Sequence, residues 1–219
     1  KTGGNNPVTT TSVGAGVYAA DSLGPVNLRV AGLLSRLSFV SHREIETPSG
    51  ESYETEGNWN GWSTTLSASA SSEFDLGPIF IHPQVSVDWL NMTQDAYEET
   101  GGGGVLNAAI GEAETDRLTA SAILGIGKDF NFSGGSLRAE IEGGIRSRVS
   151  STPLSTEVSY VGSEESFILS AEEDAGEAAV LGLSITGGNE HTLINFGYNV
   201  ETTDTGTAHY TGATIRFQF

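Results

Sequence analysis

The side chains that could do chemistry are present but scattered. His42, His82, His191 and His209 lie far apart, and no pair has the spacing of a zinc site. There is no cysteine, which removes thiolate nucleophiles, disulfide scaffolds and sulfur-ligated metals together. Serine and threonine are abundant, yet no G-x-S-x-G nucleophile motif occurs, and the glycines at 101–104 lack the strand–helix setting of a phosphate loop. The Asp/Glu spacing matches no calcium loop. No catalytic residue, metal or cofactor is expected, the four histidines read as girdle or loop residues, and the glycine run reads as a loop tip.

What is organised is the alternation of charge with hydrophobicity. In residues 137–149, Leu137, Ala139, Ile141, Gly143 and Ile145 fall on one face of a strand, with Arg138, Glu140, Glu142, Arg146 and Arg148 on the other. A charged face opposite an apolar one is expected where a wall separates water from lipid. Residues 62–76 repeat the pattern with Leu66, Ala68, Ala70 and Phe74 against Ser67, Ser69, Ser71 and Glu73; residues 81–89 do so with Val85, Val87 and Trp89 against Gln84, Ser86 and Asp88. The last hairpin sets Ile194, Phe196, Tyr198 and Val200 beside Ala213, Ile215, Phe217 and Phe219. With further strands near 11–21, 26–40, 118–130 and 177–186, about nine result, each long enough to cross a bilayer at a tilt.

The elements that carry these residues point to one class of architecture. No segment holds a 3.6-residue period, and no apolar run approaches the length of a membrane helix. Short connections near 21–24, 75–78, 131–135 and 187–190 alternate with long ones at 41–58, 97–116 and 150–176, as in barrels with periplasmic turns and outer loops. Trp59, Trp62, Trp89 and Tyr97 toward the loops, and Phe74, Phe80, Phe130, Phe132, Phe217 and Phe219 toward the turns, read as aromatic girdles. The expected fold is therefore all-β: an antiparallel transmembrane β-barrel of the outer-membrane type, a single domain over 1–219, with outer-membrane lipid and lipopolysaccharide as surroundings.

The balance of 28 acidic against 10 basic residues, a formal charge of -18, excludes an electrostatic hold on nucleic acid. Most of the acidic residues fall in 44–57, 95–116, 150–177 and 201–204, the expected outer loops. Residues 1–7 are polar and Gly/Asn-rich rather than basic and then apolar, so an exported chain of this kind is expected to be a mature or truncated piece.

Tyr210, Gly212, Ile215, Phe217 and Phe219 form an alternating C-terminal strand that ends on phenylalanine and resembles the β-signal read by the barrel-assembly machinery. Its physics is strand addition to an open edge. A second resemblance runs through Ile81-His82-Pro83-Gln84-Val85-Ser86-Val87-Asp88-Trp89-Leu90 into Gln94-Asp95-Ala96-Tyr97-Glu98-Glu99-Thr100-Gly101, and on to Thr115-Asp116-Arg117-Leu118. It is similar to the β-domain of autotransporters. That resemblance implies a barrel of about twelve strands, of which this chain would hold the last nine or ten. It also implies a pore through which an N-terminal passenger reaches the surface. The Asn5-Asn6 pair, superficially like a passenger-cleavage junction, reads as a loop.

On this reading Arg29, Asp88, Arg138, Glu140, Glu142, Arg146, Arg148 and Arg216 line the hydrated pore, and none is catalytic. Two other classes fit parts of the pattern. One is a barrel acting as a passive pore or subunit of a surface complex, without its own passenger. The other is a soluble β-sandwich binding module, whose outward face would be polar.

Overall fold

A computed structural model of the chain describes residues 7–47, 49–171, 176–189 and 191–217. Phe219 and the Asn5-Asn6 pair lie outside them. The described elements are β1 (Val8–Leu23), β2 (Val26–Glu46), β3 (Ser52–Ser72), β4 (Phe74–Asp75), β5 (Phe80–Gln94), β6 (Tyr97–Glu98), β7 (Thr100–Gly101), β8 (Ala108–Ile110), β9 (Ala113–Phe132), β10 (Gly135–Tyr160), β11 (Ser166–Ser170), β12 (Glu177–Gly188), β13 (Thr192–Thr202) and β14 (Thr207–Phe217). Nine of them form one antiparallel path, β1-β2-β3-β5-β9-β10-β12-β13-β14, in which sequence neighbours are spatial neighbours. Short hairpin connections produce that order directly. Among the described residues β1 pairs only with β2, and β14 only with β13.

The register fixes two faces. Because side chains alternate, residues directly paired across strands share a side. Asp88 pairs with Thr119, and Arg138, Glu140, Glu142 and Arg146 pair with Thr186, Ser184, Gly182 and Ala178. The opposite face carries Ile141 (66% exposed), Ile145 (65%), Phe196 (46%), Ile215 (59%) and Phe217 (62%). These apolar side chains are bare, and no second sheet covers them among the described residues. A soluble sandwich would bury them between two sheets. That alternative fails here.

Several strands run far beyond their expected ends. β2 and β3 pair continuously from Val26↔Ser72 to Glu46↔Ser52, so most of the expected loop at 41–58 is ladder. β10 continues to Tyr160, flanked by β8 and β11, inside the expected loop at 150–176. The acidic residues there had suggested solvated loop; a β-ribbon clear of lipid is solvated on both faces and needs no apolar alternation. The tip beyond β7 is made by Gly101 to Gly104, with φ of 91°, 51°, 65° and 86°. Only glycine adopts four successive left-handed residues without strain.

Candidate functional site: the charged face of the sheet

The charged face is concave. One cavity of about 620 Å³ is lined by Asp88 of β5, Thr119 of β9, Arg146 and Arg148 of β10, Ala178 of β12, Glu201 of β13 and Tyr210 of β14, six successive strands of the path. A flat sheet could not bring side chains of β5 and β14 to one cavity. Arg146 reaches across β12 to Glu201, and Arg138 reaches across β9 and β5 to Glu73, just beyond β3.

Two glycines of β9 make the turn-end part of this face possible. A Cβ on Gly127 would lie 2.2 Å from Phe80 Cζ, and one on Gly125 would lie 2.0 Å from Glu140 Oε1. Across these notches the side chains of β5 and β10 meet over the intervening strand. Phe80, 1% exposed, lies under the Arg138 guanidinium, which is 3.6 Å from the ring centroid. The geometry is that of a cation–π contact. His82 Nδ1 lies 2.9 Å from Glu140 Oε1. Arg138 also faces Asp129 at 3.7 Å and Glu140 at 3.9 Å.

A second cluster lies toward the loops on the same face. Phe39 of β2, Trp59 of β3 and Tyr97 of β6 stack with centroids 5.1 Å and 4.2 Å apart. Trp59 Nε1 donates to Gln94 Oε1 at 3.2 Å. Beside them Arg43 donates through Nε to Glu99 Oε1 at 3.1 Å and through Nη2 to Leu106 O, while the Ala108 N–H donates to Glu99 Oε2 at 2.9 Å. This cluster lies beyond the apolar stripe, in the extended hairpins. Burial pushes the Glu99 carboxyl up, but the Arg43 guanidinium, the Ala108 N–H and the Thr55 hydroxyl outweigh it and hold the group below the ordinary carboxylate value. Burial, and then the Glu99 charge, raise the Tyr97 phenol.

The eight residues expected to line a pore fall on this face by register. Arg29 lies opposite Ser69, Arg148 opposite Thr119 and Arg216 opposite Leu193, each within the same parity as Asp88 and the β10 charges. Of these, Asp88, Arg146 and Arg148 meet in one cavity and Arg138 with Glu140 in one network; Glu142 lies between the two groups on β10. Arg29 and Arg216 lie on outlying strands of the path. Of the C-terminal set, Ile215 and Phe217 are on the apolar face, whereas Tyr210 lines the cavity and Gly212 pairs with Gly197 on the charged face.

Three aromatic expectations are corrected. Trp59, Tyr97 and Phe80 are not girdle residues; they lie on the concave face. Trp62, stacked with Arg36 (5.7 Å), and Phe130, stacked with Lys128 (5.1 Å), do lie on the apolar face. The position of Phe80 was readable in principle, since its even spacing from His82 and Asp88 places it with them. His82 likewise belongs to the charged face, hydrogen-bonded to Glu140, and not to a girdle or loop.

The autotransporter β-domain family profile matches residues 1–200. The chain belongs to the autotransporter β-domain family. Among solved structures, this β-domain superposes on the translocator domain of the autotransporter NalP from Neisseria meningitidis with a TM-score of 0.70, at 14% identity, covering 98% of this chain and 69% of that one. The shared geometry is that of an antiparallel β-barrel. The transport unit of the autotransporter AIDA-I from Escherichia coli also matches, at 9% identity over 100% of this chain and 85% of that one, but a TM-score of 0.31 is too low to bear on the fold. No curated protein matches the chain.

Proposed function

We propose that this β-domain is the outer-membrane translocator and anchor of an autotransporter, forming a hydrated pore for export and surface display of an N-terminal passenger. The observation that carries the reading is the two-faced single sheet, with a bare apolar surface outside and a concave charged surface inside. In lipid, backbone groups must be satisfied within the structure, and neighbouring strands of a barrel do this. The edges of β1 and β14, without a second partner strand among the described residues, could not lie in hydrocarbon unpaired. Further strands of the same precursor are proposed to close the wall between them.

The residues act by position rather than by reaction. Ile141, Ile145, Phe196, Ile215 and Phe217 meet acyl chains, while Arg36 on Trp62 and Lys128 on Phe130 place cations at the headgroup levels, including those of lipopolysaccharide. Arg29, Asp88, Arg138, Glu140, Glu142, Arg146, Arg148 and Arg216 keep the lumen wet and set its field. A passing polypeptide can then exchange water contacts for polar ones along these charged side chains. The C-terminal strand through Phe217 is proposed to engage the barrel-assembly machinery by strand addition.

Planar-bilayer recording tests the lumen. The double substitution Arg146→Glu with Arg148→Glu should shift the reversal potential toward cations while leaving assembly intact. Unchanged ion selectivity would remove these residues from the pore wall.

A further inference from the structure

The apolar face of β2 carries one arginine whose charge the protein leaves unanswered. Arg36 lies between Val13 of β1 and Trp62 of β3 in the register, two residues beyond Leu34 toward the loops. Its guanidinium stands over the Trp62 ring at 5.7 Å. Among the described residues no carboxylate pairs with it and no protein acceptor meets it. The planar fork of N–H donors, which matches phosphate oxygens, is therefore turned to the surroundings. One outward step further on, Ser38 Oγ donates to Asn60 Oδ1 at 2.9 Å, which leaves the Asn60 amide nitrogen as another donor at the same boundary.

Toward the turns from Arg36 the same face is grooved. Gly32 pairs with Val17 and Leu66 and has no side chain to set between them. The result is a trough of about 300 Å³ walled outward by Ala15, Val17, Leu34, Thr64 and Leu66. Gly32 lies four residues, roughly 13 Å, from Arg36 along the strand. A cation at the boundary with an apolar trough beneath it fits a phosphorylated lipid, its phosphate on the guanidinium and an acyl chain in the trough.

The surroundings commit the site to one lipid. On the translocator reading the loop end of the wall meets the outer leaflet, whose lipid is lipopolysaccharide. Its lipid A part carries phosphates directly above several acyl chains. The charge pattern confines the site to β1, β2 and β3. On β5 and β9 the outward residues beyond Trp89 and Leu118 are Asn91, bonded to Glu114, and Asp116, and these carboxylates repel phosphate. On β3 the outward Glu56 lies six residues, roughly 20 Å, beyond Trp62 and faces His42 at 3.9 Å. A second copy packed on this face about an axis along the membrane normal would bring two Arg36 side chains to one interface.

We propose that the β1–β3 wall holds one lipopolysaccharide molecule, with a lipid A phosphate on Arg36 and Asn60 and an acyl chain in the Gly32 groove. The proposal deepens the translocator reading, on which it rests for placing the loops outside. Trp62 holds the guanidinium at the boundary by its ring face, and the groove selects a lipid that brings a chain and a phosphate together.

The test uses the full-length precursor, extracted folded from the outer membrane of a Gram-negative host, washed free of lipid and titrated with bis-phosphorylated lipid A under native mass spectrometry. A single lipid A should bind per barrel. Arg36→Gln should weaken that binding about ten-fold, the order of one charge-assisted hydrogen bond, and dephosphorylated lipid A should show the same loss on the unsubstituted barrel. Gly32→Ile fills the groove. Its Cβ meets only the Leu66 Cδ2 methyl, at 3.2 Å, and a β-branched residue suits a strand, so heat-modifiable migration should persist while affinity falls. If the isoleucine variant fails to fold, Arg36→Gln decides. Wild-type affinity in either folded variant, or equal affinity for dephosphorylated lipid A or for phosphatidylglycerol, would overturn the proposal. A precursor that exports its passenger yet retains no lipid A strikes this proposal alone; absence of both conductance and export in the unsubstituted precursor strikes the translocator reading.

Discussion

Gly127 and Phe80 show how one missing methyl group shapes the charged face. Gly127→Ala would force the Phe80 ring and the Ala139 carbonyl to move, at a cost of about 1–3 kcal/mol for an overpacked site. Phe80→Ala in the same chain should recover part of that loss, measured as the urea midpoint of detergent-folded protein. The notch was not legible beforehand: a glycine in a strand announces only a close approach, and its visitor comes from another strand. Arg43 and Glu99 give a second case. Arg43→Ala leaves Glu99 buried without its cation, and about 1–3 kcal/mol of stability should go with it. The pH dependence follows from the lowered Glu99 carboxyl. Its contribution is fully present above the unfolded carboxylate pKa and drains away as pH falls through the lower folded value. Titration of the unfolding midpoint from neutral pH to below 4 should show that loss in the native protein, and Arg43→Ala should flatten it.

The strands were legible where a bilayer imposes two faces and illegible where it does not. From Leu137 to Arg148 the alternation of arginine and glutamate with isoleucine gave both faces of β10 from sequence, and the register agrees residue for residue. Beyond Val149 the same strand continues to Tyr160 through register shifts at Arg148/Ser150 and Thr152/Ser155, which interrupt the period. Ser, Thr and Glu there met no apolar demand, so ladder resembled loop. The same separation predicts the effect of shortening the β5–β9 hairpin. Below Gln94↔Ala113 its pairing is complete. Replacing residues 101–107 by a short turn should leave the barrel heat-modifiable in gel migration and lower its thermal midpoint only slightly. Loss of the folded band on that change would mean that the tip organises the wall.

The molecule as a whole is an inverted protein: its large apolar side chains are mostly outside and its arginine–carboxylate pairs inside. Sequence alternation supplied that inversion and the family resemblance supplied its purpose, whereas the cross-strand networks, whose partners come from separate strands, were legible only in the structure. The most direct measurement uses the absence of native cysteine. Single cysteines placed from 138 to 146 in detergent-folded protein moved into bilayers can be probed by a charged aqueous thiol reagent and, after bimane labelling of parallel samples, by brominated lipid. Positions 138, 140, 142 and 146 should react from water, and positions 141 and 145 should be quenched by lipid. Reactivity without alternation, or quenching at the charged positions, would contradict the account.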